Sequence, residues 1–180
     1  MGALARHSRA GGIGSLLLLA LVALILFSDR GNESGGQSEE RTMSNEQPAV
    51  RAYVTRVIDG DTIEVSIDGR DDEVRYIGID TPETVKPGTP IQCFGPQASA
   101  LNHRLVEGRA VRLVFDGERR DVYGRLLAYV YVGQRFVNAR LVRLGYARTL
   151  TIPPNDTHAG IFHRLARAAG LAGRGLWGAC

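Results

Sequence analysis

Between residues 51 and 79 the chain holds three short runs that read as strands, set off from one another by tight turns. Residues 51–58 (RAYVTRVI) and 62–67 (TIEVSI) alternate apolar and polar residues, the period of two that places every second side chain on one face of a strand, and 73–79 (EVRYIGI) reads as a third strand. Asp59-Gly60-Asp61 separates the first two runs, and Asp68-Gly69 opens the turn into the third. The stretch after Asp80 holds Pro82, Pro87 and Pro90, lacks periodicity and reads as a loop. Pro96 then opens a helix, where its missing N–H costs nothing; Ala98, Leu101 and Leu105 form the apolar face and Gly108 is placed to end it. Residues 110–115 and 126–132 read as the fourth and fifth strands. A second helix spans 136–144, with Val137, Leu141 and Leu144 inward, Arg140 and Arg143 outward and Gly145 as terminator. A third spans 157–171, with Ile161, Leu165 and Ala168 at helical spacing. Five strands with a helix after the third and two at the end predict an α+β domain, a five-stranded OB-type β-barrel with three packed helices.

The N-terminal part does not belong to that domain. Arg6 and Arg9 precede an almost wholly apolar run, and residues 10–28 form 19 positions without a charge, about the length of a membrane-spanning helix. The basic flank before the run and the acidic stretch after it orient the bulk of the chain outside the cytoplasm. Leu26-Phe27-Ser28 carries a bulky residue where a cleavage site needs a small one, and Ser34-Gly35-Gly36 lies distant. Residues 1–28 are therefore expected to remain as a signal anchor, the alternative being a cleaved signal peptide and a secreted protein. Residues 29–47, rich in Gly, Ser and Glu, cannot bury a core and read as a flexible linker; residues 48–180 form the folded domain. The linker has a net charge of −3 and the domain +4. A mildly basic domain suits a polyanion, but charge alone decides nothing. Cys93 and Cys180 fit an exported protein with one disulfide, or are two unrelated thiols. With no Cys-x-x-Cys and no histidine in helical register nearby, a zinc site has little support.

Chemistry concentrates in three segments: Asp59-Gly60-Asp61-Thr62, Val74-Arg75 through Asp80-Thr81-Pro82-Glu83, and Asp121-Val122-Tyr123-Gly124-Arg125. Asp61, Asp80 and Glu83 are hard oxygen donors of the kind calcium and magnesium prefer. Arg75 and Arg125 carry planar forks that match phosphate oxygens. A divalent metal, a free carboxylate and two arginines suffice for phosphodiester hydrolysis: cations neutralise charge at phosphorus, and the carboxylate takes a proton from attacking water. Each piece alone also has a plain structural reading. Asp-Gly is a common turn, Asp80 to Glu83 matches a capping box, Arg75 can be a solvated strand residue and Arg125 a turn residue. An EF-hand is excluded, because Ile63 and Glu64 stand where an oxygen ligand and the required glycine belong.

Taken together and in order, these blocks resemble the staphylococcal nuclease (thermonuclease) family from about Tyr53 to Trp177. The resemblance extends through Val137-Asn138, Leu141-Val142, Gly145 and Pro154-Asn155-Asp156-Thr157-His158. It implies that Asp61 and Asp80 bind Ca2+ by side chain and Thr81 by its main-chain carbonyl. It implies Glu83 as general base or water-positioning group, and Arg75 and Arg125 as the arginines that stabilise the transition state. Tyr123 would support the phosphate-binding end. The family cleaves DNA and RNA with little sequence preference, leaves 3′-phosphate ends and has the five-stranded barrel with three helices.

Two departures stand out. Val122 replaces a lysine, and Leu150 and Ile152 align with two tyrosines that contact nucleotide in the family. These changes bear on affinity and base preference more than on the catalytic set. His103, His158 and His163 do not share a helical face and read as ordinary histidines, and Trp177 as a core anchor. The rival reading is an OB module that grips single strands without cutting, or a structural envelope protein with a vestigial site. A gripping module relies on exposed aromatics over a basic groove, and those are missing at Leu150 and Ile152. No obligate protein partner is evident, and DNA and/or RNA is the expected partner.

Overall fold

The computed structural model describes residues 49–84 and 88–180. The expected signal anchor and linker lie outside the described residues; among those described, no helix is long and apolar enough to cross a membrane. In chain order the elements are β1 (Ala49–Val57), β2 (Thr62–Ile67), β3 (Arg70–Tyr76), β4 (Gly78–Asp80), α1 (Gly95–Val106), β5 (Ala110–Val114), β6 (Leu126–Val132), β7 (Arg135–Phe136), α2 (Val137–Arg143), β8 (Arg148–Leu150), α3 (Ala159–Leu171) and α4 (Leu176–Ala179).

The alternating runs form an antiparallel meander in which β2 pairs with both β1 and β3. On its other edge β1 pairs with β5, and β5 with β6. A parallel pairing of β6 with β3, Val74 opposite Leu126, then closes the barrel and leaves no free edge among the five main strands. The inward residues are those of the period-two pattern, including Val54, Ile63, Val65, Val74, Leu113 and Tyr129, each essentially without solvent exposure. Burying each such side chain contributes about 1.5–3 kcal/mol.

Ala98, Leu101 and Leu105 of α1 are buried as expected, and Gly108, at φ 63°, follows the helix. In α2, Val137 and Leu141 are buried while Arg140 and Arg143 face solvent. Gly145 ends α2 at φ 76°, and the chain end crosses close over it, Leu176 N–H donating to its carbonyl at 2.8 Å. A side chain at Gly145 would collide with the Arg174 carbonyl.

Three expectations need correction. The third run does not continue straight to Ile79. It breaks after Tyr76, and Gly78, at φ 79°, starts the separate strand β4, which pairs with β8. The buried face of α3 is not Ile161 and Ala168, both exposed, but Phe162 and Ala169 with Leu165 and Ala166 half-buried. Phe162 wins the interior because Gly78 lacks a side chain there; a Cβ on Gly78 would approach its ring to 2.4 Å, so only glycine leaves the space. Trp177 is not a core anchor: it is 40% exposed, and Leu176 beside it is the buried residue. Cys93 and Cys180 form a disulfide across 87 positions of sequence, tying the loop before α1 to the chain end.

Candidate active site

The turn between β1 and β2 brings Asp61 inward. The Asp59 carboxylate accepts the Asp61 N–H at 2.9 Å, an Asx turn that sets the local backbone. Gly60 lies so close to Thr81 that a Cβ would come 2.6 Å from its hydroxyl. Glycine is therefore what lets this turn and the segment after β4 meet. Asp61 is almost fully buried and accepts from the Thr81 N–H at 2.6 Å and the Thr81 hydroxyl at 3.0 Å. From α1, Asn102 donates to the Asp59 carbonyl at 2.9 Å and accepts the buried Tyr76 hydroxyl at 3.0 Å.

Arg75, near the end of β3, joins the two acids. Its guanidinium lies 2.6 Å from Asp61 Oδ1 and 2.9 Å from Asp80 Oδ1, and also donates to the Ile79 carbonyl at 3.2 Å. Burial raises the Asp61 carboxyl above the usual carboxylate range, against the pull of Arg75 and the Thr81 hydrogen bonds and with Asp59 adding to the rise. The Arg75 guanidinium, the Thr81 N–H and the Thr81 hydroxyl are the partners that offset the cost of burying this carboxylate.

Glu83 stands three residues beyond Asp80, and its backbone is held on both sides by Gln92. Glu83 N–H donates to the Gln92 side-chain oxygen at 3.0 Å, and Gln92 N–H donates to the Glu83 carbonyl at 2.9 Å. The Glu83 carboxylate accepts the Thr84 N–H at 2.8 Å. Gly95, at the start of α1, packs directly on residues 82–84, where a Cβ would lie 2.9 Å from the Glu83 carbonyl. Segment and helix are thus locked together beside the disulfide.

Arg125 comes from the turn before β6. Asp121 takes its Nε at 2.8 Å and its Nη2 at 2.7 Å, a bidentate grip that fixes the guanidinium plane. The same carboxylate accepts the backbone N–H of Tyr123 and of Arg125, each at 3.0 Å. Tyr123 is 81% exposed with its ring 5.5 Å from the Arg125 guanidinium carbon. An open cleft of about 450 Å³ is lined by Asp61, Arg75, Asp80, Thr81, Glu83, Tyr123 and Arg125, together with Asp59 and Glu73. All seven cleft residues expected from the sequence meet there, from three segments separated along the chain. A second cavity of about 360 Å³ adjoins it, sharing Arg75, Tyr123 and Arg125 and adding Val122, Leu150 and Ile152.

The residues that hold the site were not foreseen. Asn102 and Gln92 act on backbone atoms, so no motif marks them; Asp121 opens the block that ends in Arg125, but its grip on that guanidinium is not read from the block. For Asn102 the available signal was a polar residue beside the apolar positions of α1. Asn155 lies in the block of residues 154–158 without a role having been read for it: its side chain exchanges hydrogen bonds with the backbone of Glu118 at 2.7 and 3.0 Å, tying the turn before β6 to the loop before α3.

Among the described residues, no three His, Cys, Asp or Glu side chains converge as a metal cluster. The cleft instead offers two carboxylates, Asp61 and Asp80, beside the Thr81 main chain, with Arg75 bridging them. An all-oxygen donor set without nitrogen or sulfur suits a hard divalent cation completed by water. The bridging guanidinium shows that the pair already accommodates positive charge.

Residues 73–179 match the family described as Staphylococcal nuclease homologue. The chain is similar to the thermonuclease of Staphylococcus intermedius, 38% identical over 162 residues that cover 90% of this chain and 95% of that protein. Its likeness to the thermonuclease of Staphylococcus hyicus is 37% over 161 residues, covering 89% and 95%. The endonuclease YncB of Bacillus subtilis is 45% identical over 120 residues, 66% of this chain and 57% of that protein.

Proposed function

Because the chain belongs to the staphylococcal nuclease family, we propose that it is a nuclease, a calcium-dependent endonuclease. It hydrolyses phosphodiester bonds of DNA and/or RNA with little sequence preference and leaves 3′-phosphate ends. The observation that carries this reading is that Asp61, Asp80, Glu83, Arg75 and Arg125 line one shared cleft, Asp61 and Asp80 ion-paired to Arg75 and Arg125 oriented by Asp121. Asp61 and Asp80, with the Thr81 carbonyl, would hold the calcium ion. When bound, that ion supplies positive charge to the phosphate oxygens.

Glu83 takes a proton from the attacking water as its oxygen bonds to phosphorus. The P–O5′ bond breaks, so the phosphate stays on the 3′ side, and the 5′-oxygen that leaves takes up a proton from solvent to become the hydroxyl. Arg75 and Arg125, which both line the cleft, stabilise the extra negative charge of the five-coordinate transition state. Asp121 keeps Arg125 aimed, so little reorganisation is needed when that charge develops. Tyr123 borders the phosphate-binding end. The rival reading, a non-catalytic single-strand module, would want exposed aromatics at Leu150 and Ile152.

We also propose that residues 1–28 carry the domain outside the cytoplasm, held at the membrane or released by cleavage. The Cys93–Cys180 bond supports an oxidising compartment. The test is hydrolysis of plain DNA and RNA with calcium and with a chelator. Cleavage should stop in chelator and return with excess calcium. Full cleavage in excess chelator sinks the metal requirement; tight binding without cleavage under any condition favours the single-strand module.

A further inference from the structure

Charge is divided unevenly within the folded domain. Residues 133–180 carry seven arginines against one acid, Asp156, whereas residues 48–132 carry 11 bases against 13 acids. Every ion pair among the described residues lies in the earlier part, and none of the seven later arginines has a carboxylate within ion-pair distance. A local net charge of +6 without internal partners is self-repelling, and its natural complement is a polyanion.

Part of this charge forms a track that begins at the catalytic cleft. In the β4–β8 ladder Arg148 sits directly opposite Asp80, so their side chains share a face. Asp80 is taken by Arg75, and the Arg148 guanidinium lies instead over the Trp177 ring, 5.7 Å from its centre. The Trp177 N–H donates to the Arg174 carbonyl at 3.1 Å, and Arg174 reaches the Arg143 carbonyl at 3.0 Å. Arg143, Arg148 and Arg174 are exposed, and Trp177 is 40% exposed. Arginines interleaved with a half-open indole make a surface that can hold phosphates and stack a base.

Building on the nuclease reading, we infer that Arg148, Trp177, Arg174 and Arg143 form a second nucleic-acid contact, which grips a strand as it runs on from the cleft. Trp177 stacks a base and the arginines hold flanking phosphates. Substrates too short to leave the cleft do not use it.

Trp177 is the chain's one tryptophan, so its fluorescence reports on this surface directly. The experiment titrates the full chain carrying Glu83→Gln with a single strand of about 20 nucleotides and, separately, with a mononucleotide bisphosphate. The long strand should quench the indole and the bisphosphate should not. Arg148→Ala with Arg174→Ala, at unchanged thermal midpoint, should weaken the long strand about tenfold or more and lower the log K against log salt slope by about 1.4, two phosphate contacts' worth. Saturation by the long strand without quenching, or an unchanged slope, overturns the proposal. So does quenching by anionic lipid vesicles but not by the oligonucleotide, which would assign the track to a membrane surface. Hydrolysis assays on the parent chain separate the two ideas. Quenching without hydrolysis keeps the track and removes the nuclease, and hydrolysis without quenching does the reverse.

Discussion

Arg75 bridges the same two carboxylates that are proposed to hold calcium, so guanidinium and metal compete for one set of oxygens. Arg75→Ala should therefore slow hydrolysis by about 10²–10³-fold, the cost of one transition-state donor, without weakening calcium binding in calorimetry. Affinity that fell together with the rate would make Arg75 a support of the metal site instead. Glu83→Gln is expected to lower kcat by about 10²-fold or more while calcium affinity and thermal midpoint stay close to those of the parent. A near-parent rate would remove Glu83 from proton transfer. At this scale Asp61, Arg75, Asp80, Glu83 and Arg125 were legible because each is a carboxylate or guanidinium within a contiguous block, whereas Thr81 followed only from the resemblance of its block. Their holders were not. Gln92 and Asn102 act through backbone atoms of Glu83 and Asp59, and such partners leave no trace in local spacing.

Elements were legible in type and less so in facing. Helix α3 carries two apolar stripes one position apart, 161/165/168 and 162/165/166/169, and periodicity cannot rank them. What decides is the gap left by Gly78, a residue more than 80 positions earlier. Strand β8 was missed because three residues are too few to show a period. The entry to α3 is fixed by Asp116, just after β5, which accepts the Tyr129 hydroxyl at 2.8 Å, the Thr157 N–H at 3.1 Å and the Thr157 hydroxyl at 2.9 Å. Burial alone would raise this carboxyl, but those hydrogen bonds outweigh it and hold it below its ordinary value. A depressed value means the stabilisation is complete above the ordinary carboxylate pKa of about 3.9 and disappears as pH falls through the lower folded value. Asp116→Asn should thus cost about 1–3 kcal/mol near neutrality, with the difference from the parent narrowing at about pH 3 and below. Urea unfolding at both pH values measures this. A difference that stays constant would assign the effect to packing instead of charge.

On the scale of the whole molecule, barrel closure and the disulfide decide what lies beside what. The parallel β3–β6 pairing joins residues about 50 positions apart, and no local pattern announces it; the count of strands and the family resemblance pointed to a closed barrel. The Cys93–Cys180 bond closes a long loop, and replacing both cysteines by serine should lower unfolding free energy by at most about 4–5 kcal/mol in the chain-entropy treatment. A loss near zero in urea unfolding would mean that Leu176 and its neighbours hold the chain end unaided. Closure also sets the catalytic cleft against the second cavity, with Arg75, Tyr123 and Arg125 common to both. That second cavity is where Val122, Leu150 and Ile152 replace a cation and two aromatics of the family pattern, and all three line it. Leu150 is 40% exposed and Ile152 59%, so neither is spent on the core. A base stacked on an aromatic ring contributes about 1–3 kcal/mol, which an aliphatic side chain does not supply. Short oligonucleotides should therefore bind with a high KM and an ordinary kcat, and mononucleotide bisphosphates should inhibit weakly. Leu150→Tyr combined with Ile152→Tyr is expected to lower KM on a short substrate by about tenfold for one stacked base, with kcat little changed, since neither position lines the cleft that holds Glu83. Long substrates should gain less, because contacts along their backbone already contribute to binding. If both tyrosines fold into place and KM on the short substrate does not fall, the cavity does not receive the base, and the nucleotide leaves the cleft by another side.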